Sequence, residues 1–188
     1  MGSGLAPGTF CPLIMNESFA RMRNEGGGFA ANIYCLLYTS DAAVDYESAV
    51  ALAKHLVAHG SEGLLVGGTT GEGATMTAEE KLKLYTLIVD AVGKRGEGKK
   101  VPVMGNIGTI STADTIAFGN KAKETGIDCA LVIVPFYVKP NQEGMYQHFT
   151  AVAKGVDLPL VLYNVPGRTG VSIQPETVSY THLTLPTI

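Results

Sequence analysis

The chain has 188 residues, a formal net charge of −3 and a pI near 5.8, a length that buries a full core and normally makes one domain. Lysines and arginines are scattered apart from a small cluster over 94–100, so no basic face offers itself to nucleic acid, and no apolar run reaches the roughly 18 residues of a membrane span. Three cysteines, Cys11, Cys35 and Cys129, in no framework spacing, and a start without the charged-then-apolar order of a signal peptide, lead us to expect a reducing, cytoplasmic compartment.

Residues 1–28 show no period and end in Glu25-Gly26-Gly27-Gly28, which reads as a flexible extension. Phe29–Thr39 is a candidate first buried strand. Asp45 is placed as the N-cap of a helix whose apolar positions are Ala49, Leu52, Ala53, Leu56 and Val57, with Gly60 at its C-terminal end. His55 and His59 lie four apart on that helix, a metal-ligand spacing without a third ligand, so a solvated face is the reading preferred. Gly63–Val66 is the next strand. It runs into Gly67-Gly68-Thr69-Thr70-Gly71-Glu72-Gly73, which lacks the terminal Gly-Lys-Ser/Thr of a P-loop; its amides and two hydroxyls suit an anion, and a plain glycine turn is the alternative. Thr77-Ala78-Glu79-Glu80 predicts a capping box, followed by a helix face of Leu82, Tyr85, Thr86, Val89 and Val92.

Val101–Gly105 predicts a third strand with a loop over Asn106–Ser111, then a helix from Thr112 to Thr125 closed by Gly126. Cys129–Val134 is a fourth strand, followed by the strand-end loop Pro135-Phe136-Tyr137-Val138-Lys139-Pro140. A helix then runs from Asn141 through Lys154 and stops at Gly155, with His148 as a packing or surface residue. Leu158–Leu162 is an apolar run of the kind buried on both sides of a parallel sheet. It ends in Tyr163-Asn164, a Val165-Pro166-Gly167 turn and the Arg168-Thr169 pair. Pro175 suits the first turn of a further helix that barely begins. Strict strand–helix alternation requires a parallel sheet, and right-handed crossovers carry every strand-end loop to one side. Thr69, Asn106, Tyr137 and Tyr163 therefore converge, which favours a small-molecule site over a structural protein. Alternation alone fits an α/β barrel and an open doubly wound sheet equally.

Three ordered stretches carry a resemblance: GTTGEGATMTAEEK at Gly68–Lys81, VPFYVKPNQEGMYQHF at Val134–Phe149, and LPLVLYNVPGRTG at Leu158–Gly170. Through them, residues from about Val44 to Val178 resemble the dihydrodipicolinate synthase family, among the pyruvate-dependent class I aldolases that include N-acetylneuraminate lyase. The resemblance implies a parallel (β/α)8 TIM barrel, here incomplete with about five βα units over residues 29–178. It also implies, without any cofactor or metal, condensation of pyruvate with L-aspartate-4-semialdehyde through a lysine Schiff base in lysine biosynthesis. Tyr163 matches the family's proton-relay tyrosine, Thr69 the threonine that links it to a second tyrosine, and Tyr137 that second tyrosine, which reaches into a neighbouring subunit of a homo-oligomer. Thr69 and Thr70 match the holders of the pyruvate carboxylate, and Arg168 the arginine that holds the second substrate's carboxylate. Cytoplasm is the expected location, or plastid for a plant or algal source.

The chain also departs from the family pattern. The Schiff-base lysine belongs to a sixth strand in a Gly-Ile-Lys-type motif, and none is found here. Lys139 is expected to face solvent, Lys81 a helix face and Lys154 a helix end, so none is taken as a substitute. Residues 179–188 are read as a non-native tail and Cys35–Ala43 as equally foreign. The family's lysine-feedback positions fall near Ile110 and on Phe136, so that regulation is not carried over. The expectations are therefore a truncated, inactive synthase, with another pyruvate lyase or a non-catalytic binding or assembly fragment as alternatives. A five-strand piece would also leave apolar parallel edges open.

Overall fold

The computed structural model describes residues 31–32, 44–93 and 100–181. The expected extension over 1–28, the stretch 35–43, most of the basic cluster and the tail beyond 181 lie outside the described residues. So does most of the first predicted strand. The elements are β1 (Ala31–Asn32), α1 (Tyr46–Ala58), β2 (Leu64–Val66), α2 (Ala78–Val92), β3 (Val103–Asn106), α3 (Thr112–Glu124), β4 (Cys129–Ile133), α4 (Gln142–Gly155), β5 (Leu160–Tyr163), α5 (Pro166–Thr169) and α6 (Pro175–Thr181).

All neighbouring strands pair in parallel, in the order β1-β2-β3-β4-β5. That order resolves the ambiguity left by alternation. A doubly wound sheet reverses its strand order at a switch point, whereas here each new strand is added on the same side of the last, as in a barrel. The fold is part of a parallel (β/α) barrel.

Four helices begin where their capping residues dictate. The Asp45 carboxylate accepts from Ser48 N–H at 2.9 Å. Thr77 and Glu80 form the full capping box, with Glu80 Oε2 accepting from Thr77 N–H at 2.7 Å. Ser111 caps α3 and Asn141 caps α4 through their side chains. Each cap satisfies an N–H that the first helical turn leaves unpaired. These N-termini follow the strand ends, so their positive dipole ends lie toward the side where the strand-end loops gather.

The period of two along each strand divides the core. Leu64, Val66, Val103, Ala130, Val132, Leu160 and Leu162 face the helices and join one large cluster with Tyr85, Ile88, Val89 and Phe149. Leu65, Met104, Leu131 and Val161 form a second, smaller cluster on the opposite face, with Cys129 and Tyr163 against it. The register aligns Leu65 with Met104, and Leu131 with both Asn106 and Val161, so these inward positions stack across the sheet.

Several local expectations change. The buried stripe of α2 is Leu84, Tyr85, Ile88, Val89 and Val92, while Leu82 and Thr86 are only half-buried. Gly155 is the last residue of α4 rather than its stop, and Val156 takes the C-cap. The stretch read as a loop after β5 is a helical turn: Pro166 fixes its first residue and Gly170, at φ +72°, ends it in the left-handed conformation. α6 extends to Thr181, so three residues assigned to the tail continue a helix.

Candidate functional site

The strand ends build one small cavity. Its volume is about 130 Å³, and it is lined by Leu65, Gly68, Thr69, Thr70, Leu131, Tyr163 and Arg168. Four of the five residues singled out from sequence thus meet: Thr69, Thr70, Tyr163 and Arg168. Tyr163 arrives as the last inward position of β5, paired with Ile133. Arg168 is carried there by the helical turn α5, whose Thr169 is 2% exposed and bonds inward to the Val165 and Val171 carbonyls. Thr69 is therefore a recognition candidate, while Thr169 is occupied in holding the turn. Leu65 and Leu131 were not singled out from sequence; the parity of their strands was the signal that placed them on the inner face.

Tyr137 does not line the cavity. It stands in the loop after β4, 87% exposed, at φ +68°, between the exposed Phe136 and Val138. A non-glycine residue in that conformation is uncommon and carries a backbone cost. Lys139 is exposed and also left-handed, at φ +46°, and its Cε lies 3.0 Å from where a Cβ on Gly170 would stand. It thus drapes over the end of the Arg168 turn instead of entering the site.

The glycine-rich loop is closed on itself. The Gly68 carbonyl accepts from both Gly71 and Gly73 N–H at 3.1 Å, and the Thr69 carbonyl from Glu72 N–H at 3.2 Å. A Cβ on Gly73 would fall 1.9 Å from the Gly67 oxygen, so only glycine closes this turn. Among the described residues, no acceptor faces the Thr69 and Thr70 N–H groups, and no carboxylate pairs with Arg168. A guanidinium, two hydroxyls and free amides around one cavity make a place for an anion.

Among the described residues, no lysine lines that cavity. Burial pulls the Lys81 ammonium below its ordinary pKa, but Lys81 belongs to a different cavity, about 340 Å³, between α2 and α3, with its Nζ 5.7 Å from the Phe118 ring centroid. A larger cavity of about 540 Å³ lies between the first turns of α4 and α6, lined by Gln142, Glu143, Tyr146, Gln174, Glu176 and Thr177, and shares no residue with the first. His55 and His59 stack at 3.9 Å between ring centroids, and His59 Nδ1 is held by the His55 carbonyl at 2.7 Å. Among the described residues no group of three or more His, Cys, Asp or Glu side chains converges as a metal site would require, and no helix is long and apolar enough to cross a membrane.

A parallel scaffold with its small polar cavity at the carboxyl ends of the strands places the chain in the class of (β/α)-barrel proteins. Within it the chain belongs to the dihydrodipicolinate synthetase family, whose model matches residues 32–186. It is 53% identical over 139 residues to the 4-hydroxy-tetrahydrodipicolinate synthase of Symbiobacterium thermophilum, covering 74% of this chain and 46% of that protein. It is 52% identical over 136 residues to the synthase of Heliobacterium modesticaldum, covering 72% and 44%. Among solved structures it is similar to the synthase of Cyanidioschyzon merolae with lysine bound, at TM-score 0.77 and 37% identity over 86% of this chain and 53% of that one. It is also similar to the chloride-inhibited synthase of Acinetobacter baumannii complexed with pyruvate, at TM-score 0.75 and 37% identity over 86% and 53%. The chain spans about half the length of the relatives it matches.

Proposed function

We propose that this chain supplies the carboxylate-holding part of a pyruvate-dependent class I aldolase that joins pyruvate to L-aspartate-4-semialdehyde in lysine biosynthesis, in the cytoplasm. One observation carries the reading. An Arg168 guanidinium with no carboxylate partner among the described residues shares a cavity with two threonine hydroxyls and the Tyr163 phenol. Thr69 and Thr70 hold the pyruvate carboxylate, and Arg168 holds that of the aldehyde in a two-pronged pair. In such a reaction a lysine amine condenses with the keto carbon and releases water, the methyl group loses a proton, and the resulting enamine carbon attacks the aldehyde. Tyr163 moves the proton beside the imine, and Thr69 connects it to a Tyr137 contributed by a second copy in a homo-oligomer. That use of Tyr137 accounts for a large aromatic side chain held out in solvent at φ +68°. Because no lysine among the described residues lines the cavity, this chain by itself binds the keto acid without forming the imine.

The test has two arms on the purified full chain. Titration of isotope-labelled protein with pyruvate should shift the amide signals of Thr69, Thr70 and Tyr163 saturably. Treatment with pyruvate and borohydride, read by intact mass, should leave the mass unchanged. Absence of saturable shifts sinks the carboxylate assignment. A stoichiometric pyruvate-dependent adduct sinks the claim that no lysine here takes the catalytic part, and peptide mapping would locate it.

A further inference from the structure

Asn106 and Tyr85 are not among the residues lining the cavity, yet both bear on the loop that does. Tyr85 comes from α2, is fully buried, and donates its hydroxyl to the Asn106 carbonyl at 2.7 Å. Burial pushes its phenol far above the usual pKa, so it stays a neutral donor. The Asn106 side chain works in two directions. Its Nδ2 donates to the Gly67 carbonyl at 2.9 Å, across from the end of β3 to the end of β2, and its Oδ1 accepts from Gly108 N–H at 3.3 Å. Gly67 sits at φ +69°, and the Tyr85 hydroxyl lies 2.9 Å from where its Cβ would be. One side chain therefore ties two strand-end loops together, and one phenol fixes the backbone of that side chain while packing against the glycine it holds.

We infer that Asn106 and Tyr85 are positioning residues for the carboxylate-holding loop: they lock the Gly67 peptide plane and so set the direction of the Thr69 and Thr70 donors. At φ +69° glycine has no side chain to resist a turn of the following peptide, and a flip would exchange the directions of the Gly67 carbonyl and the Gly68 N–H. The Asn106 amide removes that freedom by holding the carbonyl. Gly73, pressed against the same carbonyl, closes the turn from the other side. Preorganised donors bind a carboxylate more tightly than donors that must be ordered on binding. The inference rests on the proposed carboxylate role of Thr69 and Thr70, and its experiment keeps the two separable.

The experiment compares the parent chain with Asn106→Leu, which keeps the volume and the inward position but removes both side-chain hydrogen bonds. Tyr85→Phe, which removes one oxygen and keeps the packing, is the milder second variant. Thr77→Ala, which weakens α2 at its cap without touching the network, is the control for general destabilisation. Amide exchange at Gly71, Glu72 and Gly73 is measured by NMR, together with pyruvate affinity. Loss of one to two hydrogen bonds predicts loop exchange faster by roughly fivefold to tenfold in Asn106→Leu and pyruvate affinity weaker by roughly the same factor, with Tyr85→Phe about half as far on a logarithmic scale. Thr77→Ala should leave both unchanged relative to its global stability. Loop exchange in Asn106→Leu and Tyr85→Phe that tracks Thr77→Ala overturns the inference, because the effect would then be general loosening. Faster loop exchange with no pyruvate binding even in the parent would uphold the positioning of the loop and overturn its carboxylate role. If Asn106→Leu fails to fold, the Tyr85→Phe comparison decides alone.

Discussion

His148 gives the stability of this fold a defined dependence on pH. It lies on α4, 6% exposed, with Nδ1 2.8 Å from the Thr112 hydroxyl in the first turn of α3. Its Nε2 is buried without a partner, and its ring meets Phe149 edge-on at 5.1 Å between centroids. Burial lowers its pKa below the ordinary 6.5. A charge there would also stand at the positive end of the α3 dipole, while the one acid in that turn, Asp114, is exposed. The sign follows from proton uptake. Near pH 8 the ring is neutral in both folded and unfolded chains, and the unfolded chain begins to take up a proton as pH approaches 6.5. As pH falls below 6.5 the unfolded chain takes up a proton that the folded chain does not, so stability declines until the lowered folded pKa is reached and then levels off. Integrating from an unfolded pKa of 6.5, the loss is at most about 1 kcal/mol between pH 6.5 and 5.5, and about 1.4 kcal/mol counted from pH 8. Urea unfolding followed by circular dichroism at half-unit steps from pH 8 to 5.5, on the parent and on His148→Gln, isolates this contribution from everything the two chains share. The gap between parent and variant should change in the parent's disfavour, by no more than that amount. Parallel curves over the whole range would refute the reasoning.

The remaining predictions concern the thiol on the inner face and the turn of the site. Burial, and then the Asp128 charge, push the Cys129 thiol up to about 12. At pH 8 about one thiol in ten thousand is thiolate, so iodoacetamide should label Cys129 in the folded chain roughly a thousandfold more slowly than an unperturbed cysteine; equal labelling of the Cys129 peptide in folded and urea-unfolded chains would contradict this. Gly73→Ala places a methyl group 1.9 Å from the Gly67 oxygen, so the turn must open. We expect that variant to lose pyruvate-dependent shifts at Thr69 and Thr70 by far more than its change in urea midpoint explains, and intact binding would show that the closed turn is dispensable.

The fold was legible wherever the signal was local. Asp45, Thr77, Ser111 and Asn141 each precede an apolar helical period, and all four cap as side chains of their types do. The strand ends could be placed because alternation fixes the side on which the loops gather, and this brought Thr69, Thr70, Tyr163 and Arg168 to one cavity from distant parts of the chain. What stayed hidden depends on tertiary contact. Period alone placed Tyr85 on the packed face of α2, as it placed Val89, and did not reveal that its hydroxyl would meet the Asn106 carbonyl across the sheet. A buried tyrosine must find a partner for its O–H, so the residue type announced a hydrogen bond without naming its other end. The turn after β5 shows the reverse case. Val-Pro-Gly signals a turn in isolation, but proline also opens helices, and a glycine two residues after Arg168 closes this one. That single helical turn holds Arg168 on fixed backbone instead of an open loop. Thr169 binds it to the Val165 and Val171 carbonyls, and Asn164 bonds to Ser172 Oγ and to Ile173 N–H beyond it. The guanidinium therefore projects from a backbone anchored on both sides. An arginine so held loses less freedom on binding a carboxylate than one on a free loop, so under the proposed carboxylate role of Arg168 the anchoring by Asn164 and Thr169 would add to affinity although neither lines the cavity.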